Sequence, residues 1–276
     1  MSVSTIIARR PAGSPGPAAA PTRRPFRLLR HSLALTKRSL IKTWRTPEAL
    51  IDVTVQPGLF LIIFVYIFGG AVAGSTHQYL QFLMPGILAQ TIATGAVSIG
   101  VNLNTDLEKG IFDRFRSLPV SRVAPLIGAV LGDVVRYATV NISTFAFAYA
   151  MGFRIQTDPL RAVAGGLLAV LFGLCLSWTM VFVGMIVRTS GAVQGIGFLV
   201  LMPLTFASNV FVNTKTLPGW MQAFVKVNPL THLVDSMRGL FLGTPLGTHV
   251  WWTLGWCAVF VVVFMPLALV AYRRKV

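Results

Sequence analysis

Four histidines, two cysteines and eight carboxylates are the side chains of this 276-residue sequence that acid–base, nucleophilic or metal chemistry could use. His31, His77, His232 and His249 are scattered, and none has the paired spacing that sets two imidazoles on one metal ion. His232 and Asp235 stand three apart, on one face of a helix, as an acid–base pair would require. No nucleophile or second carboxylate joins them. Cys175 and Cys257 both fall in apolar stretches and read as small core residues, supporting neither a disulfide framework nor a zinc cluster. Asp133 and Arg136 are likewise three apart and can neutralise one another inside an apolar stretch. That pair reads first as a structural salt bridge, with a substrate contact as the alternative. No G-x-x-x-x-G-K-[ST] phosphate loop occurs, so the usual nucleotide cradle is missing from the chain. Catalytic residues, a metal site and a cofactor of its own are therefore not expected.

The elements that must position these residues are set by composition. Hydrophobic residues make up 54% of the chain and charged ones 12%, with a mean hydropathy of +0.71. A soluble domain carries about twice that charged fraction. The net charge of +16 does not point to nucleic acid, because ten of the 24 Lys and Arg precede residue 50 and most others lie in short segments between apolar runs. Charges so placed anchor loops to anionic lipid.

Residues 1–25 hold Pro11, Pro15, Pro17, Pro21 and Pro25 among Ala, Gly and Arg, and are expected to be a disordered cytoplasmic tail without a secretory signal. From Phe26 to Arg45, Phe26, Leu29, Leu33, Leu40 and Trp44 share one helical face and Arg27, His31, Arg38, Lys42 and Arg45 another. This is the pattern of an amphipathic helix in the membrane interface, with a solvated basic helix as the alternative. Apolar runs predict six transmembrane helices at about Leu50–Ala73, Tyr79–Asn102, Leu126–Met151, Ala162–Val187, Val193–Phe211 and Val250–Tyr272. Threading the loops alternately puts 18 Lys and Arg on one side and five on the other, which sets both termini in the cytoplasm of a multi-pass plasma-membrane protein.

Two connections carry more pattern than a linker needs. In Asp106–Arg122, Leu107, Ile111, Phe115 and Leu118 form a stripe that ends at Pro119. It reads as a short helix that docks on a cytoplasmic partner, or else lies on lipid headgroups. In the outward segment Val212–His249, two amphipathic pieces are broken at Asn228-Pro229. They are expected in the outer interface or dipping partly into the bilayer, or as a loosely structured cap. Asp52 and Gln56 share a face beside Pro57, and Gln56, Asn141, Gln194, Ser208 and Asn209 could line a pathway or bond between helices.

The stretch Leu107–Arg122, with Glu108, Lys109, Gly110, Arg114, Phe115 and the Leu118-Pro119 ending, resembles the loop between the second and third spans of ABC-2 type permeases, in particular their daunorubicin-resistance branch. A second match covers Leu217–Gly243, through Pro218, Trp220, Asn228, Pro229, Leu230, Thr231, Asp235, Arg238 and Gly243. The resemblance extends over residues 26–272, leaving 273–276 as a cytoplasmic tail. It implies an all-α transmembrane domain that dimerises with a second copy of itself and binds two copies of a separate ATPase subunit. On that resemblance Glu108, Lys109, Gly110, Arg114, Phe115, Leu118 and Pro119 belong to a coupling helix docked on the ATPase. ATP and Mg would sit on that partner, and an amphipathic drug or lipid-like compound would be exported. An ion-coupled secondary transporter and a membrane enzyme are the competing readings; the lack of a clear internal repeat and the few acids at depth count against the first.

Overall fold

The computed structural model describes residues 47–110, 124–211, 214 and 218–275. The amphipathic stretch Phe26–Arg45 and the tail before it lie outside the described residues. So do Arg114, Phe115, Leu118 and Pro119. Every regular element among the described residues is helical: α1 (Pro47–Ala73), α2 (Thr76–Glu108), α3 (Ala124–Ala150), α4 (Pro159–Ile186), α5 (Ser190–Phe206), α6 (Gly219–Val227), α7 (Pro229–Leu242) and α8 (His249–Lys275). Five of them, α1, α2, α3, α4 and α8, are long and apolar enough to cross a membrane.

The helix ends follow local chemistry. Ser75 caps α2 by accepting the Gln78 amide at 3.2 Å, just after Gly74 turns the chain with φ 71°. Asp158 precedes Pro159 at the first position of α4, where the missing N–H costs nothing. Thr189 caps α5 through the Ala192 amide at 3.3 Å. Pro266 in α8 follows a π turn at Phe260–Phe264, a local widening of the kind that accommodates a carbonyl left without its N–H partner.

The fifth expected span differs most. Hydropathy continues to Phe211, but α5 ends at Phe206 and has 17 residues, about 25 Å of helix. Ala207 leaves helical geometry with φ −90° and ψ 48°. The second span is longer than expected and runs to Glu108, followed by a turn at Lys109–Gly110 in which Gly110 has φ 63°. A left-handed residue there ends the helix, so Leu107 belongs to α2; the rest of the apolar stripe, from Ile111, lies outside the described residues.

α2 is the central post. Leu80, Leu83, Met84, Ile87, Leu88 and Ile92 are buried against Tyr137 of α3, Phe172 of α4 and Phe241 of α7 in one large cluster. A second cluster at the Glu108 end joins Ile99, Leu103, Leu126, Val181, Met185 and Tyr272. Backbones of α2 and α4 meet directly where they cross: a Cβ on Gly100 would stand 2.5 Å from the Met180 carbonyl oxygen, and one on Gly184 2.6 Å from that of Gly100. Small residues at such crossings permit the close packing on which helix association in lipid depends. Leu59, Ile63, Tyr66 and Ile67 of α1, Leu199 of α5 and Trp251 and Val262 of α8 face outward, an apolar exterior suited to acyl chains.

Candidate functional site

Polar side chains concentrate at three levels of the bundle. At the Glu108 end, Asn104 donates to the Gly184 and Val187 carbonyls at 2.8 and 2.9 Å, and Lys275 donates to the same Val187 carbonyl at 3.0 Å. These are the free carbonyls at the end of α4, which need donors once the helix stops. One turn beyond Asn104, the Glu108 carboxylate accepts the Ser190 amide at 3.1 Å. It thereby places a negative charge at the positive end of the α5 dipole. The Lys109 and Gly110 amides close α2 by donating hydrogen bonds to the Thr105 and Leu107 carbonyls at 3.0 Å each.

Midway along the bundle, Asp133 and Arg136 pair at 3.8 Å, and Arg136 also donates to Ser98 of α2 at 3.0 Å. The two side chains thus lie together on one helix, and Arg136 adds a tie between helices. One residue on, the Tyr137 and Ser177 hydroxyls share a 2.8 Å hydrogen bond between α3 and α4. Asn141 donates to the Tyr137 carbonyl at 3.1 Å and the Gly166 carbonyl at 3.5 Å. The other pathway candidates do not gather here: Gln194 is exposed on α5, Gln56 is half-buried on α1, and Ser208 and Asn209 lie beyond the end of α5.

The densest network is built on α7, one of the two amphipathic pieces expected in the outer interface or dipping partly into the bilayer; its apolar face packs into the main core. Leu230, Leu233, Val234, Met237 and Phe241 are all buried. The break at Asn228-Pro229 falls where expected. Asn228 accepts the Leu230 amide at 2.9 Å, capping α7, while its side-chain amide donates to the carbonyl of Leu204 in α5 and to that of Ala207 just after it, at 2.7 and 2.8 Å. Pro229 occupies the first position of α7, and Gly243 ends it in left-handed geometry at φ 74°.

Arg238 is the centre of this network. Its guanidinium donates to the Phe82 carbonyl at 3.1 and 3.2 Å, to the Asn209 carbonyl at 2.8 Å and to Asp235 at 3.3 Å, and it lies 3.7 Å from the Phe82 ring centroid. The same Asp235 oxygen accepts a short bond from the Asn209 amide. Burial lowers Arg238 to about 10, with the Asp235 charge opposing the shift, so the group stays charged at neutral pH. A planar fork meets three acceptors at once, a geometry that lysine cannot match.

His232 joins α7 to α8. Its Nε2 lies 2.9 Å from the Lys226 carbonyl and its Nδ1 3.2 Å from Nδ1 of His249, with the ring stacked on Trp252. A carbonyl can only accept, so Nε2 carries the proton and, in the neutral ring, Nδ1 accepts from His249. Burial, followed by the neighbouring His249, holds His232 below its usual pKa, in keeping with the neutral form. His249 also approaches the second Asp235 oxygen at 3.9 Å. With Asp235 engaged by Asn209 and Arg238, the His232–Asp235 spacing serves helix packing and does not form an acid–base dyad. Among the described residues no group of three or more His, Cys, Asp or Glu is placed to hold a metal ion.

Sequence reasoning found Asn228, Asp235 and Arg238 but not the roles of Phe82 and His249. Phe82 contributes a backbone carbonyl and a ring, neither of which leaves a polar mark in the sequence. Its partner is 156 positions away.

The profile of a family described as "ABC-2 type transporter" matches residues 30–242. The chain is 41% identical over 254 residues to the daunorubicin resistance ABC transporter permease protein DrrB1 of Streptomyces coeruleorubidus, covering 91% of this chain and 90% of that protein. It is 26% identical over 249 residues to the probable doxorubicin resistance ABC transporter permease protein DrrC of Mycobacterium tuberculosis, covering 88% of each. A putative transport permease, ycf38, of Cyanophora paradoxa is 28% identical over 223 residues, 78% of this chain and 76% of that one.

Proposed function

Because the chain belongs to the ABC-2 type transporter family, we propose that it is the permease subunit of an ATP-driven exporter that moves an amphipathic drug or lipid-like compound out of the cell. The observation that carries this reading is the 41% identity to a daunorubicin-resistance permease over nine-tenths of both chains. The ATPase is a separate subunit in two copies holding ATP and Mg, in agreement with the lack of a phosphate loop in this sequence. A second copy of the chain completes the pathway.

Within this reading residues 26–272 form one transmembrane domain of six spans, with 1–25 and 273–276 as cytoplasmic tails. α5 is the sixth crossing element, at about 25 Å somewhat shorter than a 30 Å hydrocarbon core. The excess of Lys and Arg on one set of loops supports cytoplasmic termini. The Glu108 end then faces the ATPase, with the coupling segment 107–118 docked on it, and the Arg238 network faces outward. The mixed polar level around Asp133, Arg136 and Asn141 lies between them.

The test is transport into inverted vesicles carrying the chain with its ATPase partner, using a fluorescent anthracycline as probe. Uptake should require ATP and continue when the proton gradient is collapsed. Uptake that needs the gradient and ignores ATP would establish a secondary transporter instead, and no uptake of any amphipathic probe would refute the export reading.

A further inference from the structure

α7 and α8 meet at their first turns through two imidazoles. His232 is 5% exposed. Its Nε2 is fixed at 2.9 Å from the Lys226 carbonyl, and its ring lies on that of Trp252 with 5.3 Å between centroids and 10° between planes. His249, the first residue of α8, has a side chain 37% exposed, with Nδ1 3.2 Å from Nδ1 of His232 and 3.9 Å from the second Asp235 oxygen. One ring is sealed and the other is open to water. The Nδ1–Nδ1 link has room for one proton. Nε2 of His232 donates to Lys226, so in the neutral pair the proton of the link belongs to His249. A proton taken up from water adds to Nε2 of His249, leaves the link whole and sets a positive charge beside Asp235. The next has only Nδ1 of His232 to bind. Two N–H groups and two like charges would then face each other across 3.2 Å. His232 is held at its far edge by Lys226 and on one face by Trp252, so His249 is the ring that must leave.

The surrounding charges do not cancel that repulsion. One oxygen of Asp235 is already shared between Asn209 and Arg238, and the Lys226 side chain is exposed. On α2, Tyr79 interacts with the Arg238 charge, and His77 lies beside Gly152. Arg161 of α4 pairs with Asp158 at the surface, and the Cys175 and Cys257 thiols of α4 and α8 face each other. α5 has no ionisable side chain, and the remaining ionisable groups of α2 and α8 lie at the Glu108 end.

We propose that His232 and His249 form a proton-operated latch between α7 and α8, closed while the pair holds at most one proton beyond neutrality and open when both rings are charged. Burial, followed by the neighbouring His249, holds His232 below its usual pKa, so opening belongs to acid conditions. It is confined to the turn from His249 to Trp252, because the next link, between the Ser236 and Thr253 hydroxyls at 3.2 Å, carries no titratable group. Arg238 still anchors α7 to the Phe82 and Asn209 carbonyls, while the entrance of α8 comes free. The latch needs no export cycle; that its protons come from outside the cell rests on the orientation proposed above.

The experiment places the full chain, with histidine as its only ¹⁵N label and His31→Gln and His77→Gln as background, in phosphatidylcholine nanodiscs and follows it by NMR from pH 7.5 to 4.5. At pH 7.5 the two Nδ1 nuclei should show the scalar coupling of a shared N–H···N bond, with His232 protonated at Nε2. On acidification the coupling should persist while one ring is charged and vanish as the second charges. The Trp252 amide, bonded to the Thr248 carbonyl at 3.1 Å, should then exchange its hydrogen about tenfold faster by mass spectrometry, corrected for intrinsic pH dependence, the scale of one lost hydrogen bond. His249→Gln can offer His232 either a donor or an acceptor, so its exchange should stay within about twofold across the range. Absence of the coupling at pH 7.5, a His232 ring still uncharged at pH 4.5, or unchanged Trp252 exchange once both rings are charged would each overturn the latch. An equal rise in His249→Gln would do the same; should that variant not fold, His232→Gln, which keeps the donor to Lys226, takes its place. None of these outcomes bears on export, which is tested separately.

Discussion

Replacing Arg238 with methionine keeps the length and apolar bulk of the side chain and removes its charge. Four contacts lose their donor: two bonds to the Phe82 carbonyl, one to Asn209 and the ion pair with Asp235. The Arg238 side chain is 9% exposed and that of Asp235 27% exposed, so water replaces little of what is lost. Removing one partner of a buried pair leaves the other charge without compensation and costs about 3–5 kcal/mol. Arg238→Lys retains the charge but not the fork and should cost about 1.5–3 kcal/mol, the worth of a charge-assisted bond. The measurement is equilibrium unfolding by SDS in mixed micelles, followed with a thiol-reactive dye. Both free cysteines are buried in the folded chain and report its opening. Adding Asp235→Asn to Arg238→Met should recover about 1–2 kcal/mol, because the abandoned carboxylate is then neutral. A cost under about 1 kcal/mol for Arg238→Met, or no recovery in the double variant, would show that the network does not hold α7 in place and would refute the reasoning.

The remaining expectations concern titration and packing. His232 is held below its usual pKa by burial and by His249, so between its folded and unfolded values the unfolded chain binds a proton that the folded chain does not. Its contribution is therefore complete above the unfolded value of about 6.5 and is lost as pH falls toward the folded one, with a limiting slope of about 1.4 kcal/mol per pH unit. Unfolding midpoints between pH 7.5 and 5 should fall in the wild type and flatten in His232→Gln; an unchanged slope in the variant would show that His232 is not its source. Gly100→Ala forces a Cβ against the Met180 carbonyl at 2.5 Å and should cost about 1–3 kcal/mol as the helices part. Gly191→Ala and Gly195→Ala, where nothing lies within 4 Å, should stay within about 0.5 kcal/mol in the same unfolding assay.

The parts of the fold legible in the sequence are those governed by near neighbours. Asn228-Pro229 marked a helix boundary because an Asn cap and a first-position proline act within two or three residues. Asp133 and Arg136 met as neighbours on one helix face for the same reason. The end of α5 was not legible, since the apolar run continues to Phe211 while the carbonyls that end the helix are claimed by a side chain 21 and 24 positions later. Likewise the amphipathic look of α7 did not reveal that Asp235, Arg238 and His232 turn their polar atoms toward partners on α2, α8 and beyond the end of α5. Polarity in a pattern shows that a group needs a partner; it does not show whether that partner is water or protein. The resemblance in the two loops supplied the family, which periodicity and charge placement could not.

The backbone contact at Gly100 and Gly184 has a mechanical consequence. Two helices that touch carbonyl to Cα have no compliant layer of side chains between them, and packed interiors do not deform continuously. α2 and α4 must then travel as a single body, the stator of the subunit. In the proposed export cycle, opening and closing would fall to joints cushioned by side chains, those of α1 and α5 against this fixed pair, where a shift of an ångström can be taken up by a change of rotamer rather than a break in the frame.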